Sequence, residues 1–173
     1  MDNVEQKPAS SDTSIQRLGR NGYLHRITPI VDSTGKIVQR LIKPLMVEFR
    51  ARDLMQTLVG ASILAIPAAY TEETWDLGQE LALTNIVGIA FLSLFFIGIF
   101  VYYNFYKSYF KQFVGQYFFR VLATYAVSFA VVALLLTLID KCPWGVDNML
   151  AIKRIIVVAF PASMSATVTD AIK

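Results

Sequence analysis

Two adjacent carboxylates, Glu72 and Glu73, close an uncharged run of 18 residues, Leu54–Thr71. Tyr70 and Thr71 sit beside them, and Pro67 stands about one turn earlier. A proline inside a helix leaves the carbonyl four residues before it, here Ile63, without its N–H partner. Carboxylates, hydroxyls and a freed carbonyl share one chemistry: they attract cations and replace part of their water shell. One such carboxylate per subunit, repeated around an axis, makes a ring that concentrates and selects cations. Packed like charges would also raise some of the pKa values and give pH dependence. Glu72 and Glu73 are about 100° apart around a helix, so only one can face an axis, and Glu73 is the preferred ring residue. The competing reading is an ordinary acidic loop, since Asp76 and Glu80 follow closely. Both readings stay open at this stage.

Little else in the chain supports catalysis. There is one histidine, His25, and one cysteine, Cys142. Neither has metal-ligand neighbours at the required spacing, so no metal and no cofactor are expected. Phosphate loops, zinc-protease motifs, nucleophile elbows and dinucleotide fingerprints are absent. The expectation is a protein that is not an enzyme. Basic and aromatic residues do interleave, and that pattern can bind nucleic acid. Fourteen of the 22 aromatic residues fall between Phe91 and Phe119, with Lys107, Lys111 and Arg120 among or just after them. Here the pattern abuts apolar runs. A lipid interface, with those three cations snorkelling and Trp75 and Trp144 as further interfacial residues, explains it without nucleic acid. Asp170 is expected to be solvated or to pair with Lys173 or Arg52.

Those residues need elements to hold them. Of the 173 residues, 55% are hydrophobic, and the mean hydropathy is +0.49. No charge interrupts Leu54–Thr71, Leu81–Tyr106 or Val121–Ile139, and a shorter uncharged run covers Ile155–Thr169. The first three are long enough to cross a bilayer, and snorkelling by Lys153 and Arg154 would extend the fourth. The first run begins too deep in the chain for a signal peptide. Thirteen basic residues precede the first span, follow the second or end the chain, against three (Lys141, Lys153 and Arg154) in the last loop. The positive-inside rule then places both termini in the cytoplasm and the acidic loop outside. The expected fold class is an all-α membrane protein with four transmembrane helices and a small N-terminal cytoplasmic β-hairpin.

Three regions follow from the pattern. Residues 1–20 are polar and read as a disordered tail. Residues 21–53 read as a cytoplasmic hairpin and an interfacial helix. The strands Arg26–Val31 and Lys36–Ile42 flank a turn at Asp32-Ser33-Thr34-Gly35, Pro44 ends the hairpin, and Met46–Asp53 forms the helix. Residues 54–173 form the four-helix transmembrane domain. Its first and last spans both contain Ala-x-Pro-Ala, around Pro67 and Pro161. Small residues recur every fourth position, at Ala61, Ala65 and Ala69 and at Ala159, Ser163 and Thr167, which lets two helices approach closely. With four spans the two helices run in opposite directions, which would suit an inverted repeat, but shared helix-packing chemistry accounts better for eight similar residues.

The segment around the carboxylates also carries a family likeness. Pro67, Tyr70, Thr71, Glu73, Trp75 and Gly78 fit a Pro-x-x-Tyr-Thr-x-Glu-x-Trp-x-x-Gly-like signature. Pro161, Ala162, Ser163 and Ala166 fit a Pro-Ala-Ser-x-x-Ala-like segment. Over residues 46–173 the chain resembles a bacterial family of integral membrane proteins of uncharacterised function. Glu72 is not part of that pattern. The resemblance implies the bacterial cytoplasmic (inner) membrane and no particular activity. The functional expectation is a cation-selective ion channel or transporter, built as a homo-oligomer with an outer carboxylate ring. The alternative is a non-conducting membrane assembly or accessory subunit.

Overall fold

The computed structural model describes residues 14–17, 24–32, 37–45, 48–107 and 110–172. Residues 1–13 and 18–20 of the expected tail, the turn at 33–36, and Met46 and Val47 lie outside them. The chain divides into two compact units, Met1–Glu48 and Phe49–Lys173.

The first unit is a three-stranded antiparallel sheet in the order β1 (Ser14–Arg17), β2 (Leu24–Val31), β3 (Ile37–Leu45). The hairpin is therefore present but longer than expected, and β1 comes from a segment read as disordered. Pro44 does not end the hairpin: it lies inside β3, opposite His25. That is tolerable because β3 is an edge strand, where a missing N–H breaks no ladder on the open side. Pro29 lies in the middle strand, beyond the described β1 pairing, which covers Leu24 to Ile27.

The second unit holds α1 (Ala51–Ala69), α2 (Glu72–Glu80), α3 (Leu83–Val101), α4 (Val114–Leu138) and α5 (Asn148–Ala171). A π-helical segment, Tyr102–Tyr106, continues α3, and a 3-10 turn, Phe110–Gln112, precedes α4. Among the described residues three helices are long and apolar enough to cross a membrane: Leu83–Tyr106, Val114–Leu138 and Asn148–Ala171. The pair α1 and α2 makes a fourth only if counted together, and it is bent by 85°. The all-α membrane class holds, with three to four spans and a small N-terminal sheet. Of the expected interfacial helix, Glu48, Phe49 and Arg50 are not helical, and Ala51–Asp53 form the first turn of α1 instead. Its start is fixed by Asp53, whose carboxylate accepts from the Arg50 backbone N–H at 3.0 Å. At α5, Asp147 accepts from the Leu150 N–H at 2.9 Å and caps the helix.

The last helix organises the bundle, since α5 packs on α1, α2, α3 and α4, most extensively on α1. The small residues explain that closeness. Ala61, Ala65 and Ala69 of α1 and Ala159, Ser163 and Thr167 of α5 are all buried, while Pro161 is partly so. Gly60 is the tightest point. A Cβ there would lie 2.6 Å from the Thr169 Cβ and 2.9 Å from the Ala166 Cα.

The buried interior has two chemically different halves. Near the start of α1 it holds Asp53, Thr57, Arg120, Thr124, Ser128, Ser163, Thr167 and Asp170. Toward the other end it is Ala65, Ala69, Val132, Leu136, Ile155, Val158, Ala159 and Ala162, closed by Cys142 and Ala151. Four of the buried hydroxyls in the polar half donate back into their own helices, Thr57 to the Asp53 carbonyl, Ser128 to Thr124, Ser163 to Phe160 and Thr167 to Ser163. This is how an apolar environment tolerates them. The Thr124 hydroxyl is buried without a hydrogen-bond partner.

Candidate functional site: a buried arginine between two aspartates

Arg120 lies in the second turn of α4 and is the largest fully buried side chain among the described residues. Its Nε donates to Asp170 Oδ2 at 2.9 Å and its Nη2 to Asp170 Oδ1 at 3.1 Å, a two-pronged ion pair. The same Nη2 stands 3.5 Å from Asp53 Oδ2. The guanidinium carbon lies 3.9 Å from the Phe105 ring centre and 5.6 Å from that of Phe49, so aromatic faces cover the charge. The buried Tyr106 also hydrogen-bonds Arg120. Phe105 and Tyr106 both come from the π segment. Such widened turns recur at functional sites, because they re-aim neighbouring side chains.

The geometry corrects two expectations. Arg120 is not a snorkelling lipid-interface cation, since its side chain is 0% exposed. Asp170 is not solvated, and among the described residues its partner is Arg120, 50 positions earlier, not Arg52; the alternative partner Lys173 lies outside the described residues. Charges buried in a membrane domain are costly unless paired, and three helices converge here to pair them. The cluster also fixes the topology. The starts of α1 and α4 and the end of α5 meet at one end of the bundle, so α1 and α5 are antiparallel.

The other end holds the residues first singled out. The chain breaks after Ala69, and Glu72 and Glu73 open α2 rather than closing α1. That position suits them, because acids in a helix's first turn face its positive dipole end. Ile63, Pro67, Tyr70, Thr71, Glu72 and Glu73 are all exposed. The structure thus leaves each of them at the surface, not in a pathway within the subunit. The Thr71 hydroxyl is engaged, donating to the Pro67 carbonyl at 2.9 Å.

Trp75 and Gly78 turn out to hold this break together. The Trp75 indole N–H donates to the Ala69 carbonyl at 2.7 Å, across the bend. Arg154 of α5 donates to the carbonyls of Trp75 at 3.3 Å and Lys141 at 2.8 Å. Gly78 leaves room for it: a Cβ there would sit 2.6 Å from the Arg154 Cγ. Lys141 lies over the Trp75 ring at 4.0 Å. Lys153 reaches the Gln79 carbonyl at 3.4 Å. Lys153 and Arg154 therefore bind α2 rather than lengthening a short span by snorkelling. Trp144 is half-exposed, and its indole donates to the Thr137 hydroxyl at 2.8 Å. Lys107 and Lys111 are exposed, as a lipid interface requires. Among the described residues no group of three His, Cys, Asp or Glu side chains could hold a metal ion.

Sequence reasoning flagged Asp170 and Arg120 separately and missed Asp53, Phe105 and Tyr106. The available signal was a pair of opposite charges, each beside an apolar run that charges should avoid.

Neither a curated protein nor a solved structure matches the chain. The family model described as "Putative integral membrane protein (DUF2391)" matches residues 32–170, a range that contains the sheet's last strand, the bent helix pair and all three charges of the cluster. With most of its length inside that match and three to four membrane-length helices, the chain belongs to this bacterial family of multi-spanning membrane proteins.

Proposed function

We propose that the protein moves a cation across the bacterial cytoplasmic membrane, as a homo-oligomeric channel or transporter and not as an enzyme. The observation that carries this reading is the buried Asp53–Arg120–Asp170 cluster. Ionisable groups inside a membrane domain are rare and mark ion paths and proton relays. The cluster opens a polar half of the interior that stops at mid-bundle against Val132, Leu136 and Val158. A path within one subunit therefore needs a second conformation to complete it, as in alternating access. A path between subunits instead uses the exposed surface with Glu73, which would form the outer carboxylate ring. The excess of basic residues on one side supports cytoplasmic termini.

Cation flux into proteoliposomes of the purified protein tests the proposal. Asp170→Asn should abolish flux, and Glu73→Gln should lower it and weaken selectivity for cations over anions. A wild-type protein that passes no cation at any pH or voltage removes the proposal. A second reading, a non-conducting assembly or accessory subunit, is favoured by one observation. Pro67, Thr71, Trp75 and Gly78 of the family signature have packing and hydrogen-bonding roles that need no ion. That reading predicts a stable oligomer and no flux.

A further inference from the structure

The aromatic, basic stretch of α3 and its continuation is not used by the transport reading, and it borders a cleft. Between α3 and α5 lies a cleft of about 280 Å³, lined by Phe96, Ile99, Tyr103 and Asn104 on one side and Met164 and Val168 on the other. The α3 residues recur at one-turn intervals, and so do those of α5, so the cleft runs along the bundle axis, parallel to lipid tails. From Phe96 to Asn104 it covers about 12 Å of helix rise. Its lining is almost wholly apolar. Phe96, Ile99, Tyr103 and Val168 are all more than two-fifths exposed on the outside of the bundle.

The mouth carries positive charge. The Lys107 ammonium lies 5.8 Å from the centre of the Tyr103 ring and is exposed. Lys111 follows on the 3-10 turn. No Asp or Glu occurs between Glu80 and Asp140. On the facing helix the acid nearest the cleft in sequence, Asp170, is tied to Arg120.

We propose that this cleft is a binding site for one anionic phospholipid, with an acyl chain lying between α3 and α5 and the headgroup phosphate on Lys107. The bilayer already solvates an acyl chain, so the cleft adds close packing rather than a hydrophobic driving force. Headgroup charge then decides which lipid stays. One lysine near a membrane surface favours an anionic lipid about fivefold. A helix of a second copy is the competing occupant, but it would place apolar bulk against Lys107 and leave that charge unused.

Native mass spectrometry of the detergent-purified protein, titrated with equal phosphatidylglycerol and phosphatidylcholine, tests this. The wild type should retain one phosphatidylglycerol with about fivefold preference. Lys107→Ala should bring the preference to about one while lipid is still held. Val168→Trp should fill the cleft and abolish retention. Leu134→Trp, an equally bulky change on an exposed position of α4, should leave retention unchanged, with circular dichroism confirming that all variants fold. Undiminished retention in Val168→Trp, an unchanged preference in Lys107→Ala, or no retained lipid in the wild type would each overturn the assignment. So would a Val168→Trp variant that loses its oligomeric state while keeping its lipid, because that outcome assigns the cleft to a second copy.

Discussion

Replacing Arg120 by methionine keeps much of the side chain's length and removes its charge. The structure gives the size of the loss. Two charge-assisted hydrogen bonds to Asp170, at 2.9 and 3.1 Å, disappear together with the 3.5 Å contact to Asp53. Two carboxylates then share a buried site without the guanidinium. Breaking a buried ion pair from one side costs about 3–5 kcal/mol. Against a total stability of about 5–15 kcal/mol, that is a large share. Asp170→Asn is milder, because an amide oxygen still accepts one hydrogen bond and Asp53 stays near the arginine. Its expected cost is about 2 kcal/mol, in the range for hydrogen bonds to charged groups. The double variant Arg120→Met/Asp170→Asn removes both charges of the main pair and leaves Asp53 to cap α1. It should lose less than Arg120→Met alone, which requires a coupling energy of about 2–3 kcal/mol. Reversible unfolding in mixed micelles, followed by far-ultraviolet circular dichroism, measures all four proteins. An Arg120→Met variant within about 1 kcal/mol of wild type, or strictly additive single changes, refutes the reasoning.

Other outcomes follow from single contacts. Gly60→Ala and Gly78→Ala should each destabilise by about 1–3 kcal/mol through overpacking, because the new Cβ meets Thr169 or Arg154 at 2.6 Å. Gly88→Ala has open space around it and should be neutral or stabilise by up to about 1 kcal/mol; the same unfolding assay separates the three. Trp75→Phe should cost about 1 kcal/mol by removing the N–H that bridges the α1–α2 break, and limited proteolysis should then cut faster near Tyr70. Burial pushes the Cys142 thiol up from its ordinary range, against smaller opposing effects of Thr137 and Arg154. Maleimide labelling of the folded protein near neutral pH should therefore be slow and should accelerate as pH rises, and labelling as fast as in the unfolded chain contradicts that.

The fold was largely legible because its strongest signals are local. Uncharged runs located α3 well, and the apolar-rich runs on either side of Asp32-Ser33-Thr34-Gly35 located β2 and β3. Helix ends were less legible. The helices α1, α4 and α5 extend past their uncharged cores to Ala51, Val114 and Asn148, since a charged residue can begin a helix when its charge is capped or paired. The break at Tyr70 and Thr71 had a local signature too, a threonine followed by two acids, which suits a new helix start as well as the end of an old one. The buried cluster was not legible. Its partners are 50 or more positions apart, and a lone Arg120 beside an apolar run reads the same whether it snorkels or is buried. The same limit applied to Gly60 and Gly78, whose role depends on which residue of α5 passes over them.

The convergence of three helices on Arg120 bears on the order in which the bundle is made. The chain is synthesised from its N-terminus, so Asp53 is present before Arg120, and Asp170 arrives last. When α4 enters the membrane its arginine has one carboxylate waiting on α1, which limits the penalty of inserting that charge. The two-pronged pair forms only once α5 is complete. Assembly of the domain is thereby coupled to its own completion, and a chain truncated before Asp170 keeps an under-compensated arginine that quality control can detect.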